Sequence, residues 1–457
     1  MALPGLALAN PSAPALHQPP PIAVPKIKGG LPAPPPVPAS KAEPRRLSYE
    51  SAPLLALAHN PTLAASLTKV RADMAQAEIN AAASRPQGTL KLQGPPIPPS
   101  DNSAFRSDFV LAPIQIELRK LIYDGGRIAA LIAQARQQAR ADSELAQSDW
   151  QKLEYQVRLN YLQALIRESE TALAENRLQL ARQQLRTAEA RFRVGKAPKG
   201  DVLSAGLPVS EAELEAERVG LAAQQSKQRL NLLLGLPIDT PLQLEPPQLK
   251  AEELKELSFY LEQAQKQRPE LRSLEFQKLS GQKAAEAGDL LDHPTVNLLA
   301  GVAAISQGTQ PIGAYQYRAG FEVAWLFADG NKSGATGDLA RAQVAQTEAL
   351  LADRRRTVEV EVREAYQNLA TVARTYDIQK KRVQQAEDAQ RIAQAQYRAG
   401  MTTVYRVHQT QVDLYQAQKQ ELQAYFDYFQ GLAQLHLATG LVTSQPLDIP
   451  YDLGEDG

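Results

Sequence analysis

The chain has 457 residues, 44% hydrophobic and 22% charged, and its 50 basic and 50 acidic side chains leave a formal charge of zero. That length and composition suit two or three folded domains, and the missing net field argues against nucleic acid or an acidic membrane surface as partner. Cysteine is absent, which excludes disulfides, thiolate nucleophiles and Cys-based zinc sites and leaves no cysteine for acyl anchoring.

At the start, Ala7-Leu8-Ala9 resembles a small-residue cleavage site, but the basic and long apolar regions of a signal peptide are missing. A clipped signal remnant and an Ala-rich start both fit. Residues 10–46 contain PPP twice and alternate Pro with Ala, Val and Lys, which favours an extended arm without a core. Residues 1–46 are therefore set apart from the folded chain. From Leu47 the spacing turns helical, with a break at Asn60-Pro61 and a stop at Arg85-Pro86.

After Pro86 the period changes to two, the spacing of a strand with two different faces. Ile114, Ile116 and Leu118 alternate with Gln115, Glu117 and Arg119, and a partner strand is placed near Thr89–Ile97, giving a strand region of about 89–123. Asp124-Gly125 ends it. From Gly126 to Val194 nothing breaks a helix, which at about 1.5 Å per residue spans roughly 100 Å. Leu159, Ile166, Leu173 and Leu180 form one seven-residue track and Leu178, Leu185 and Phe192 another; two tracks suit a helix with neighbours on both sides. The chain turns at Gly195 and the return helix ends near Gly235-Leu236-Pro237.

The pattern then repeats. Arg268-Pro269 opens helical sequence that closes at His293-Pro294, with the prolines again 25 residues apart. Strands follow over about 294–328, one near Thr295–Ile305 and one in which Tyr315, Tyr317, Phe321, Val323, Trp325 and Phe327 alternate with Gln316, Arg318 and Glu322. Asp329-Gly330 repeats Asp124-Gly125 at an offset of 205, and the same offset superposes Val157-Arg158 on Val362-Arg363, Tyr161 on Tyr366, Gly195 on Gly400 and Gly235-Leu236 on Gly440-Leu441. Shared composition does not hold such landmarks in one register, so the chain is an internal duplication. The repeats are placed at 47–246 and 247–443, with helical hairpins over about 125–235 and 330–440 and a tail at 444–457.

No run of about 18 apolar residues is present to make a transmembrane helix, a test that a membrane β-barrel escapes. Four strands leave open edges, so closure needs further copies. Three copies give twelve strands, and the same symmetry gathers the hairpins into a tube. The expected fold is mainly α with membrane β: a duplicated strand-pair and long helical hairpin unit, in a trimeric twelve-stranded barrel continuous with an α-helical barrel.

ARFRVGKAPKGDVL at 190–203 and AQYRAGMTTVYRVH at 395–408 resemble the paired helix-turn signatures of the TolC family, and the resemblance extends over about 47–443. It implies a homotrimeric outer-membrane channel, set in outer-membrane lipid with a periplasmic tunnel, that works with a periplasmic adaptor and an inner-membrane transporter in efflux or type I secretion. By that resemblance the turns after Gly195 and Gly400 form the periplasmic tip, and Tyr397 and Asp201 form a hydroxyl–carboxylate link that must loosen on opening. The competing reading has Tyr397 packing on its own helix and Asp201 capping the return helix. The family's acidic constriction falls on Arg406 and Gln409, and its arginine latch on Thr402, so the constriction is expected to be cationic, if Arg406 faces the lumen, or held by other contacts; an outward Arg406 in helix or adaptor packing is the alternative.

The five histidines are scattered, without metal-site or general-base spacing, so neither cofactor nor catalytic centre is expected. The rival from another class is a soluble coiled-coil scaffold or tether, which gives no role to the paired alternating strands.

Overall fold

The computed structural model describes residues 45–92, 110–196, 198–247, 254–307 and 310–441. The expectations for residues 1–44 of the arm, for residues 93–97 of the first partner strand and for the tail lie outside these residues, whereas Arg45 and Arg46, placed in the arm, belong to a strand paired with Leu242 and Gln243. The elements run β1 (Arg45–Leu47), α1 (Ser51–His59), α2 (Pro61–Ala82), β2 (Gln87–Leu92), β3 (Val110–Tyr123), α3 (Arg127–Arg193) and α4 (Lys199–Leu233). The series then recurs as β4 (Leu242–Leu244), α5 (Leu257–Gln267), α6 (Pro269–Asp289), β5 (Thr295–Gln307), β6 (Gln310–Ala324), α7 (Lys332–Arg398) and α8 (Val404–Thr439). The two long helices have 67 residues each and start 205 positions apart.

Local chemistry accounts for the boundaries. The Asn60 side chain accepts the amides of Thr62 (3.0 Å) and Leu63 (3.3 Å), with Pro61 at the first helical position of α2. Asp124 receives the amides of Gly126 (3.0 Å) and Ile128 (2.6 Å), and Asp329 those of Asn331 (2.8 Å) and Ser333 (2.7 Å). One carboxylate thus closes the strand-to-helix corner in each copy, at the helix end that favours negative charge; the Ser333 side chain first, and then these amides, hold Asp329 below its ordinary pKa. The return helices end at Gly235 (φ 69°) and Gly440 (φ 73°), where a Cβ would meet His59 at 2.8 Å or Gln267 at 3.0 Å. The short helices α1 and α5 press against those ends.

Among the described residues two sheets form. β1 and β4, the leading strands of the two copies, pair in parallel. Below them Tyr161 is fully buried and its hydroxyl donates to the Leu47 carbonyl (2.7 Å) and accepts the Glu245 amide (2.9 Å). The second sheet is antiparallel in the order β2-β3-β5-β6, so β2 and β6 are unpaired edges.

The helices pack side by side. α3 contacts α2 and α4, and also α6 and α8, while α7 lies against α6 and α8. Between α3 and α4 the seam is built from Ala174, Ala181 and Ala188 facing Ala205, Ala212 and Val219, all buried at seven-residue spacing. Small side chains bring the backbones close. Of the expected leucine tracks, Ile166 is buried, Leu159, Leu173, Leu178, Leu180 and Leu185 are half-buried and Phe192 is exposed. An ion network around the buried Arg268 joins the copies. Glu270 on α6 receives Lys152 of α3 (2.7 Å), Arg268 (3.2 Å) and Arg354 of α7, and Arg268 and Arg354 share Glu361. Burial opposes ionisation of Glu270, but Lys152 and Arg354 pull its pKa down to about 2.

Candidate functional site: the sheet faces and the helical tip

Register sorts the β2-β3-β5-β6 sheet into rows. Leu90, Ile116, Val302 and Tyr317 stand side by side, as do Leu92, Ile114, Ala304 and Tyr315. Leu118, Leu298, Phe321 and Val323 continue this face, and the aromatics are open to 64% at Tyr315, 79% at Tyr317 and 73% at Phe321. Together these rows make a contiguous, exposed apolar face. The opposite face carries Thr89, Glu117, Gly301 and Arg318 in one row and Lys91, Gln115, Ala303 and Gln316 in the next. Gly301 leaves the path clear for Arg318 to reach Glu117 across β5 (3.8 Å), and Arg119 pairs with Glu322. This face is solvated and cross-braced. The end of β6 differs from the sequence expectation: it falls at Ala324, because its partner β5 begins at Thr295 opposite Ala324. Trp325 and Phe327 therefore follow the strand instead of continuing it, exposed and edge-to-face at 6.2 Å between ring centroids, a placement suited to a membrane interface.

At the other end of the long helices the chain reverses twice by the same device. Gly195 (φ 72°) and Gly400 (φ 75°) are left-handed, and the amides of Lys196 and Met401 bond back to Arg191 (2.8 Å) and Gln396 (2.9 Å). Tyr397 sits in the last turn of α7 with the Arg191 guanidinium 4.6 Å from its ring centroid, a contact that joins the two copies. Asp201 lies in the first turn of α4; Pro198 occupies the cap and no side chain caps this helix. Tyr397 and Asp201 are not brought together within the chain. Thr402 is half-buried in the second turn, Arg406 is exposed on the first turn of α8, and Gln409 donates to Asp413 (3.2 Å) one turn further on.

Sequence reasoning missed a second contact between the copies. Tyr415 of α8 is buried, its hydroxyl donates to Glu215 of α4 (3.4 Å), and the Arg177 guanidinium lies 4.9 Å from its ring centroid. Lys419 reaches both Glu170 of α3 (3.5 Å) and Glu215 (3.6 Å). Burial, then Glu215, pushes the Tyr415 phenol up to about 12. The signal available was weak, because these residues are about 200 positions apart on helices that also carry many other charges. No group of three His, Asp or Glu side chains suited to a metal ion occurs among the described residues, and no described helix is long and apolar enough to cross a membrane.

A two-faced sheet with free edges, continued by paired coils, defines the protomer of a β-barrel channel that runs into an α-helical tube. The chain belongs to the outer membrane efflux protein family, whose pattern matches residues 52–236 and 260–441. Solved structures with the same fold include the CmeC outer membrane channel of Campylobacter jejuni (14% identity, 89% of this chain and 87% of that one, TM-score 0.72). The outer membrane protein VceC of Vibrio cholerae (16%, 86% and 96%, 0.69) and a membrane protein of Pseudomonas aeruginosa (22%, 86% and 92%, 0.70) are similar in the same way. No curated protein matches it by sequence. The resemblance to the TolC family is thus borne out: the fold is that of a trimeric twelve-stranded barrel with a periplasmic helical extension, and the protein is an outer-membrane efflux channel. The scaffold reading has no support.

Proposed function

We propose that three copies of this chain form a passive conduit that receives its cargo from an inner-membrane transporter through a periplasmic adaptor, in efflux or type I secretion, and releases it outside. The observation that carries this reading is the pair of free edges on a sheet with one lipid-suited face. β2 and β6 are unpaired, and the helical wall has matching free sides, α2 and α4 at one and α7 at the other. Leu207 and Leu221 of α4 are exposed 14 residues apart, as are Ile392 and Ile378 of α7. Leu207 lies eight residues past the start of α4 and Ile392 six before the end of α7, so rotation about a common axis sets the rungs at nearly equal heights. The half-buried leucine tracks gain partners in the same step. Within this reading each repeat, 47–246 and 247–443, supplies two strands and one coil, the apolar sheet face meets outer-membrane lipid, and the turns at Gly195 and Gly400 form the tip. Tyr397, Asp201, Thr402, Arg406 and Gln409 line or brace that tip.

Because the sequence holds no cysteine, the test has no background. Leu221→Cys with Ile378→Cys, oxidised in isolated membranes, should yield a covalent trimer on denaturing gels and single-channel conductance after purification. A product no larger than a dimer, or none while the protein still conducts, would refute the proposed ring order.

A further inference from the structure

Resting on the reading of the apolar sheet face as the one that meets lipid, we propose that Lys120 is the centre of a site for an anionic phospholipid of the periplasmic leaflet, its ammonium taking the headgroup phosphate. Among the described residues Lys120 is the only charged side chain on that face. It is exposed and stands in one row with Leu298 and Phe321. On one side of it lies the row of Leu118, Ala300 and Ala319, on the other that of Tyr123, Val296 and Val323. The other cations of the sheet, Lys91, Arg119 and Arg318, lie on the opposite face, where Arg318 reaches Glu117 and Arg119 reaches Glu322. Among the described residues no carboxylate pairs with Lys120. Closing the barrel brings none from a neighbouring strand: β6, which would meet β2 of the next chain, gives that face Tyr315, Tyr317, Ala319, Phe321 and Val323.

The place of the lysine selects its ligand. Lys120 lies at the helical end of the sheet, four residues before the corner carboxylate Asp124, as Trp325 lies four before Asp329. Lysine and tryptophan, both side chains of the membrane–water boundary, thus hold equivalent positions in the two copies. β6 ends at Ala324, three residues past Phe321, which on a strand tilted by about 40° is about 8 Å of depth. A lysine stem lies along apolar surface and carries its ammonium toward the headgroups over such a distance. The anions fixed at that level are lipid phosphates, and one cation near an anionic surface is favoured about fivefold. Beside the lysine, Gly88, Ala300 and Ala319 leave their row low between the exposed rings of Tyr317 and Phe321. A trough of that shape seats a hydrocarbon chain, which favours a phospholipid over a free phosphate.

The chain has two tryptophans; Trp150 is fully buried among the helices and Trp325 is 64% exposed near the site, so quenching by brominated acyl chains reads the lipid at Trp325. The experiment places the purified trimer in phosphatidylcholine nanodiscs containing dibrominated phosphatidylglycerol or dibrominated phosphatidylcholine. Phosphatidylglycerol should associate about fivefold more strongly. Lys120→Met should bring the ratio to about one without loss of the trimer, because it removes a charge from an apolar face, and Lys120→Arg should keep the preference. Equal association of both lipids with the parent overturns the proposal, as does a preference that survives Lys120→Met or is lost in a trimeric Lys120→Arg. Inorganic phosphate that abolishes the preference where chloride of equal ionic strength does not assigns the site to the free anion and also overturns it. A trimer that enters the nanodisc and conducts without any preference rejects the site alone, whereas a chain that stays outside the bilayer rejects the lipid-facing reading on which it rests.

Discussion

Changing Lys419 to Met together with Tyr415 to Phe should loosen the tie between the first and second coils. The Met substitution removes an ammonium held 3.5 Å from Glu170 and 3.6 Å from Glu215 while keeping the side-chain length. Both contacts are long and Lys419 is 36% exposed, so solvent screening limits them to about 0.3–0.7 kcal/mol each. The Phe substitution removes one hydroxyl bond of 3.4 Å, at the weak end of the range, about 0.5 kcal/mol. Glu170 keeps Arg167 at 2.7 Å, so no buried carboxylate is orphaned. The loss is about 1–2 kcal/mol per protomer, and about 3–6 kcal/mol if three protomers part together, a roughly 10²- to 10⁴-fold shift toward separated coils. Single-channel recording in planar bilayers reads this as higher open probability or larger conductance than the parent channel. An intact variant trimer with parental conductance and open probability would refute the reasoning that this contact holds the two coils together.

Glu270→Gln should lower the heat-dissociation temperature of the trimer, since it strips charge from a partly buried network that also holds Arg268, at a cost of about 1–3 kcal/mol after solvent screening. In the parent, the Glu270 contribution is fully present above about pH 4.5 and declines as pH falls toward 2, because its folded pKa lies below the unfolded one; melting curves across that window show it. Asp73 behaves in the opposite sense. Burial, then the neighbouring Asp142, raises its pKa to about 6, while Lys69 (2.9 Å) and Gln138 (3.2 Å) bond to Asp142. Its proton favours the folded chain at low pH and this contribution fades as pH rises toward 6, so Asp73→Asn should raise the melting temperature at pH 7.5 and leave it nearly unchanged at pH 4. Gly235→Ala should destabilise the protein by about 1–3 kcal/mol through its left-handed backbone and the 2.8 Å approach to His59, seen as a lower thermal midpoint; an unchanged midpoint contradicts the close packing of α1.

Breakers and periods made much of the fold legible. Gly126 and Val194 bracket a helix that runs from Arg127 to Arg193, and Asp124 and Asp329 act as the corner carboxylates their repeated position implied. Alternation gave the two faces of the sheet correctly because each residue step reverses the side chain. It did not give the end of β6, since alternation continues through Trp325 and Phe327 after the partner strand has run out. The pairing of β1 with β4 was invisible because three-residue strands carry no period. The deep coil seam was also hidden. Leucine repeats draw the eye, but within one chain alanines let α3 and α4 approach, and the leucines remain for other contacts. At the tip, the backbone turns at Gly195 and Gly400 were legible, whereas the partners of Tyr397 depend on how α3 and α7 are brought together.

The equal 67-residue lengths of α3 and α7 also limit how this gene can change. Deleting one residue from either helix draws its turn back by about 1.5 Å and rotates every side chain beyond the cut by about 100°, so the alanine seam of that coil would open and its turn would sit below the other. Even a whole-heptad deletion, which restores the facing, shortens one coil by about 10 Å. Lasting changes in length should therefore come as matched heptads in both halves, an inherited record of the need for a level rim.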